Sequence, residues 1–307
     1  MSNAALRFVD VTKRFGSATA LDAFTADFPK GSLCALVGPN GAGKTTAFSL
    51  VGGFLHADDG ALDVLGYDKV DPFALKGRVG ILPQDADLGD RHTPLELLHH
   101  LGRLQGMGRG EALREADRVL ELVLLGDRRR KRIGTLSHGM RRRVAVASAL
   151  LGDPELVLLD EPTAGLDPVQ ASSLRKVLKL RRPGQTVVVS SHNLQELERI
   201  CDYVVMMDQG RCVRQGPMAE ITGQGEVVEW VVGGGDVPLE ALAAALPGDH
   251  RFELEGEVLR HHAPSDSDLD AASLVVAGAL VQAGVPIREV RRGVGLEERF
   301  LADQAHP

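Results

Sequence analysis

The chain has 307 residues, 44% of them hydrophobic and 25% charged. That is enough for one large domain with an appendage or for two ordinary domains. A net charge of −7 argues against a whole-protein nucleic-acid binder, which needs concentrated Lys and Arg. Cys34, Cys201 and Cys212 are far apart and lack C-x-x-C spacing, so no disulfide framework or zinc site is indicated and inert thiols in a reducing compartment are expected. The opening "MSNAALRFVDV" lacks a basic stretch followed by an apolar run, and no segment approaches the about 18 apolar residues of a membrane span. The expectation is a cytosolic chain that would need a partner for any role at a membrane.

Residues 5 to 37 read as strands, with "LRFVDVTKRF" and "SLCALV" broken by Gly and Pro. A glycine-rich turn at 38 to 43 should lead into a helix. From about 93 to 126 the pattern is helical, with Thr93 placed to cap and Pro94 at the first helical position. "PELVLLDEP" and "QTVVVSSH" are unbroken apolar runs that suit a parallel sheet covered on both faces. "YVVMMDQGRCVRQG" reads as a hairpin turning at Gly210.

The character changes after residue 222, where "TGQGE" reads as a linker. Beyond it the expected order is strand 226–232, helix 238–246, strands 251–255 and 257–262, helix 268–283 and strand 285–291. Leu269, Ala272, Val276 and Leu280 give that last helix its spacing. The order βαββαβ is the ferredoxin-like arrangement.

Two motifs carry chemistry. "GPNGAGKTT" comprises Gly38, Pro39, Asn40, Gly41, Ala42, Gly43, Lys44, Thr45 and Thr46; it fits G-x-x-x-x-G-K-[ST] and lies between an apolar strand and a helix, the context of a P-loop. Its glycines let backbone N–H groups curl around phosphate oxygens, the helix N-terminus adds partial positive charge, Lys44 reaches the β and γ phosphates, and Thr45 ligates Mg²⁺. "LVLLDEP" puts Asp160 and Glu161 at the end of a buried strand, where an Asp holds the metal and a Glu polarises water, or where two acids are merely solvated.

With these motifs in place the chain resembles the nucleotide-binding subunit of an ATP-binding cassette (ABC) transporter over residues 5 to about 220. The motifs run in that family's order: Phe15, the P-loop, Gln84 in "ILPQD", "LSHGM", "LVLLDEP", "AGLDP" and His192 in "VVVSSHNLQE". The resemblance implies an α/β fold, a P-loop NTPase core at 1–222 with a helical subdomain at about 86–152, and a small α/β accessory domain at 223–307. It implies ATP and Mg²⁺ as ligands, with Phe15 stacking on adenine. Gln84, Thr45 and Asp160 would attend the metal, and Glu161 and Gln84 the attacking water, with Gln84 also sensing the transmembrane partner; His192 would hold the γ-phosphate and the water, and Asp167 would lie across a dimer interface. Taken singly, a residue like Phe15 is more often core, Gln84 more often a surface amide and His192 more often a satisfied strand-end histidine; the order of the motifs reverses that reading.

Subunits of this family pair head to tail, so the signature of one closes on the ATP of the other. Ser137 and Gly139 supply the hydroxyl and the free N–H groups for that contact. His138 stands where a glycine is usual, which matters if the position needs positive φ or close backbone approach, and Met140 stands where a glutamine is usual. A working signature with altered kinetics is expected; a degenerate half paired with an active partner is the rival. "DRRRKR" at 127–132 and "RRR" at 141–143 read as a solvated face with charges favouring a phosphate-rich interface, rather than a nucleic-acid or lipid contact, since no aromatics interleave them.

"GVGLEERFL" at 293–301 resembles the closing helix of many ABC-2-type export ATPases; its simpler reading is an amphipathic terminal helix packed through Leu296, Phe300 and Leu301. The resulting expectation is an ATPase subunit on the inner face of the membrane. Its partners would be an integral-membrane permease and either a second copy or a paralogous ATPase subunit. The alternatives are a soluble ABC protein of translation or DNA repair and a non-hydrolytic regulatory subunit.

Overall fold

The structure, a computed structural model, describes residues 3–305 except 69, 181, 224–225, 235, 247 and 265–266. The chain divides into two units, Met1–Gly216 and Pro217–Pro307. Part of the expected "TGQGE" linker, Gln224 and Gly225, lies outside the described residues.

In the first unit β1 (Ala4–Phe15) pairs antiparallel with β2 (Ala18–Pro29) and, on its other side, with β4 (Asp59–Val64). A second sheet has the order β5-β6-β7-β3-β8-β9, built from β3 (Leu33–Val37), β5 (Val79–Leu82), β6 (Leu156–Asp160), β7 (Thr186–Ser190), β8 (Tyr203–Asp208) and β9 (Arg211–Pro217). Its β5-β6-β7-β3-β8 pairs are parallel. Every residue of β3, β6 and β7 is buried, as unbroken apolar runs require in a sheet covered on both faces. The phenylalanines Phe8, Phe24 and Phe28 meet edge to face beneath the antiparallel sheet. The β8–β9 turn uses Gln209 and Gly210, both at positive φ, the type I′ geometry of a two-residue hairpin.

Helices α1 (Lys44–Val51), α2 (Pro94–Gln105), α3 (Arg109–Leu122), α4 (His138–Ala149), α5 (Pro168–Lys179) and α6 (Leu194–Glu198) complete the unit. Thr93 caps α2 in a full capping box, its hydroxyl taking the Glu96 N–H while the Glu96 carboxylate takes the Thr93 N–H, with Pro94 at the first helical position.

The second unit opens with the short α7 (Met218–Ile221) and continues β10 (Val227–Val232), α8 (Leu239–Ala245), β11 (Arg251–Glu255), β12 (Val258–His262), α9 (Leu269–Gln282), β13 (Ile287–Arg292) and α10 (Leu296–Ala305). Its antiparallel sheet has the order β11-β12-β10-β13, and the stretch from β10 to β13 runs βαββαβ. Val228, Trp230 and Val232 pack with Leu242 of α8 and with Ala272, Val276 and Leu280 of α9. Arg260 joins β12 to β10 through Glu229 at 2.9 Å, to β11 through Glu255 at 3.0 Å and to α10 through Glu298. Of the three side chains expected to seat the terminal helix, Leu296 and Phe300 are buried but Leu301 is exposed, because it lies off the buried stripe.

His261 of β12 is fully buried between His250, whose Nδ1 is 2.8 Å from its Nε2, and the stacked ring of Phe252. Burial, then the neighbouring His250 and His262, push it down to about 4. The unfolded chain therefore binds a proton at His261 that the folded unit refuses, and stability falls as pH drops from about 6.5 towards 4. Trp230, the chain's single tryptophan, lies in the same core and reports on this unit alone. Its fluorescence transition should come at lower temperature at pH 5 than at pH 7, and His261→Leu should flatten that dependence; equal shifts in both proteins would assign the acid sensitivity elsewhere.

Among the thiols, Cys34 and Cys201 are buried, and burial pushes Cys212 up to about 11, so its thiolate is suppressed at neutral pH.

Candidate nucleotide-binding and hydrolysis site

Parallel register builds the site. Ser190 at the end of β7 pairs with Leu36 of β3 and with Asp160 of β6, so the loops leaving these strands emerge together at their carboxyl ends. Open α/β sheets bind ligands at that edge.

The loop after β3 wraps into the start of α1. Gly38 and Gly43 are obligatory there: a Cβ on Gly38 would come to 2.4 Å from the Met207 carbonyl oxygen, and one on Gly43, at φ +107, to 2.5 Å from that of Ala20. No side chain caps α1, so its first N–H groups face the loop. Lys44 is buried and folds back to donate from Nζ to the carbonyls of Gly38 at 2.7 Å and Pro39 at 3.0 Å. Burial pulls its ammonium below the ordinary lysine range, opposed by the nearby charges of Glu161 and Asp160. A desolvated cation beside uncapped N–H groups suits a polyphosphate.

Thr45 donates from Oγ1 to Oδ2 of Asp160 at 2.8 Å, and the other carboxylate oxygen takes the Ser190 hydroxyl at 2.5 Å. A hydroxyl and a carboxylate, both hard oxygen donors, fit Mg²⁺, which ordinarily takes one or two protein oxygens and completes its shell with phosphate and water. No cluster of three or more His, Cys, Asp or Glu able to hold a metal occurs among the described residues.

Glu161 follows Asp160 at φ +50, a left-handed conformation costly for glutamate. Its N–H is held by the Ser190 hydroxyl at 3.0 Å and carbonyl at 3.2 Å. The bend turns its side chain to His192, whose Nδ1 lies 2.9 Å from Oε2. The Glu161 side chain is largely buried and that of His192 exposed, so the pair can present an oriented proton acceptor to solvent.

Ser137, Gly139 and Asp167 gather in a second cluster. Ser137 caps α4, accepting the Met140 N–H at 3.3 Å, and Asp167 caps α5, accepting the Gln170 N–H at 2.9 Å. A Cβ on Gly139 would come to 2.0 Å from Gln170 Oε1, the movable end of a side chain, and 3.1 Å from Leu166, so the start of α4 lies close against the segment that leads into α5. His138 is the first residue of α4 and is not at positive φ; its exposed ring lies over Gly165, where a Cβ would be 2.6 Å from Nε2. Substitution of glycine at 138 therefore strains nothing in the backbone. Phe15 ends β1 with 47% exposure and Lys13 Nζ 5.6 Å from its ring centroid, so it is no core residue. Gln84 is exposed on the loop after β5.

Of the two basic stretches, 127–132 is exposed or half-exposed, whereas 141–143 departs from the expected solvated face. Arg141 pairs with Asp90 at 3.2 Å and reaches the Gly134 carbonyl at 2.8 Å, Arg143 donates to the Val123 and Leu124 carbonyls, and Arg142 is only 9% exposed. Arg142 donates to the carbonyls of Gln84 at 3.0 Å, Asp160 at 2.5 Å and Glu161 at 2.8 Å, which makes it a site residue the sequence reading missed. The signal was present: Arg142 shares a helical stripe with the buried Ala145, Val146 and Ala149.

Comparison with known proteins agrees with this geometry. Residues 21–164 match the family model described as ABC transporter. The linearmycin resistance ATP-binding protein LnrL of Bacillus subtilis is 36% identical over 218 residues, 70% of each chain. The daunorubicin resistance ATP-binding protein DrrA3 of Streptomyces coeruleorubidus is 34% identical over 98% of this chain and 96% of its own. Among solved structures, cbiO1 from Clostridium perfringens, part of the ABC transporter complex cbiONQ, is 26% identical, with a TM-score of 0.65 over 72% of this chain and 92% of its own. A P-loop, a metal-suited Thr–Asp pair and a Glu–His pair on one sheet edge, together with relatives matched over nearly their whole length, lead to one conclusion: the chain belongs to the ABC transporter family, as an ATP-binding, Mg²⁺-using ATPase subunit.

Proposed function

We propose that this subunit powers an ABC-2-type exporter from the inner face of the membrane, pairing with a second ATPase subunit and docking on an integral-membrane permease. No helix among the described residues is long and apolar enough to cross a membrane, so the span would come from the partner. The observation that carries the hydrolytic part is the 2.9 Å contact between His192 and a Glu161 fixed by the strand-end serine.

In this reading Phe15 stacks on adenine, and the loop from Gly38 through Pro39, Asn40, Gly41 and Ala42 to Gly43 wraps the phosphates. Lys44 neutralises β and γ oxygens, and Thr46 extends the helix start behind Thr45. Thr45, Asp160 and Gln84 would hold Mg²⁺, which when bound neutralises phosphate charge and fixes the triphosphate's orientation. Glu161 takes the proton of the attacking water, and His192 keeps the carboxylate aimed. Ser137 and Gly139 at the start of α4 close on the partner's ATP, and Asp167 lines the same junction. The core at 1–222, its helical part at about 86–152 and the accessory domain at 223–307 then act as engine, lever and add-on module.

Full-length relatives bear resistance and export names, daunorubicin resistance and Nod factor export among them, which favours export over the soluble ABC class. The test is to express tagged Glu161→Gln in the native cell and recover it with ATP and Mg²⁺ from detergent-solubilised membranes. Co-purification with one polytopic membrane protein supports the reading, and recovery only with soluble partners sinks it. Phe15→Ala should raise the ATP dissociation constant about tenfold through lost stacking with little effect on kcat; equal affinity would place adenine elsewhere.

A further inference from the structure

The guanidinium of Arg142 joins three parts of the site. It rises from α4, whose N-terminus is capped by Ser137, and is held in a nearly closed interior. Nη1 donates to the carbonyl of Gln84; Nη2 donates to those of Asp160 and Glu161. Nε is buried without a hydrogen-bond partner among the described residues, so the group is spent on this one task of bridging carbonyls.

The Glu161 peptides are consequently held from two directions. Ser190 fixes the N–H from β7, and Arg142 fixes the carbonyl from α4. Between those two anchors Glu161 sits at φ +50, a conformation that persists only where surroundings over-determine it. Removing one anchor lets the residue relax towards ordinary φ, and the carboxylate then swings away from His192.

Resting on the functional reading above, we propose that Arg142 is a positioning residue for hydrolysis: it holds Glu161 in its aimed conformation and ties it, with the Gln84 loop, to the helix that carries the signature. Ser137 and Arg142 are separated by about 7–8 Å along one helix, too short to flex. Movement of the signature against the partner's nucleotide is thereby transmitted to the water-activating residue of this subunit's own site. Among the described residues Arg142 makes no direct hydrogen bond to the P-loop; it reaches Thr45 only through the backbone of Asp160, whose side chain Thr45 and Ser190 hold independently, so hydrolysis should suffer more than ATP binding on its removal.

The experiment uses the full chain as wild type, Arg142→Met and Arg142→Lys, each measured for thermal unfolding, trinitrophenyl-ATP binding, and ATPase kcat and KM with Mg²⁺. Arg142→Met should lose about 30-fold in kcat with KM and nucleotide affinity within about threefold. Arg142→Lys, which keeps the charge but spans fewer carbonyls, should fall between. A folded Arg142→Met with kcat within about twofold of wild type overturns the proposal. So does a loss of kcat accompanied by an equal loss of affinity, since the guanidinium then serves packing alone. Should Arg142→Met not fold, Arg142→Lys decides: lower kcat at unchanged KM supports the proposal, and wild-type kcat overturns it. A wild-type chain with no ATPase activity removes the functional reading itself rather than this inference.

Discussion

Glu161→Gln is expected to lower kcat for ATP by roughly 10²–10⁴-fold while leaving ATP binding intact. The amide has the shape of the carboxylate and tolerates the same backbone, whose N–H remains held by Ser190. It lacks only the basicity to take a proton. In the proposed mechanism the neighbouring His192, whose Nδ1 lies 2.9 Å from Oε2, orients the carboxylate and does not replace it as the proton acceptor. Because binding survives and turnover stops, ATP should accumulate on the protein and hold the paired state. Single-turnover and steady-state kinetics, with light scattering to follow dimerisation, provide the measurement. Turnover within threefold of wild type would assign proton transfer to another group and remove the centre of the mechanism.

Much of this site was legible because its parts are local. The P-loop is one contiguous run, and the apolar strands β3, β6 and β7 declare a parallel sheet by having no polar face to show. Once parallel pairing is granted, strand-end residues far apart in the chain, Asp160 and His192, must share an edge. The strands β4 and β5 were not read, since "DGALDV" and "VGIL" are short and glycine-bearing. Gly80 is there for a tertiary reason: a Cβ would meet the Ala149 carbonyl oxygen at 1.8 Å. Arg142 was hidden by its charge. Composition places arginine at the surface, and the helical stripe it shares with buried alanines does not reveal what accepts its protons: three carbonyls on two distant segments, Gln84 after β5 and Asp160–Glu161 after β6, make its burial tolerable. The unusual His138 is the converse case, a departure in sequence that costs the backbone nothing because the position is simply the first turn of α4.

Lys44→Met should separate the two roles of a buried charge. The ammonium is desolvated, and among the described residues its hydrogen bonds go to the Gly38 and Pro39 carbonyls. Its pKa is depressed by burial, so the fold disfavours the charged form; that penalty is fully present below the folded pKa and disappears as pH rises past the ordinary lysine value. At neutral pH, methionine of similar length removes the penalty, and the nucleotide-free melting temperature should hold or rise. ATP affinity should move the other way. A charged hydrogen bond is worth about 1.5–3 kcal/mol, so loss of the contacts proposed to the β and γ oxygens should weaken binding by roughly 10²–10³-fold. The thermal shift that saturating ATP and Mg²⁺ give the wild type should then vanish. Calorimetric titration beside thermal unfolding reads both signs at once. A variant that keeps ATP affinity within threefold would show that the uncapped N–H groups at the start of α1 and the glycine cradle bind phosphate without Lys44; one that loses affinity only because it melts early would show that the buried ammonium is structural.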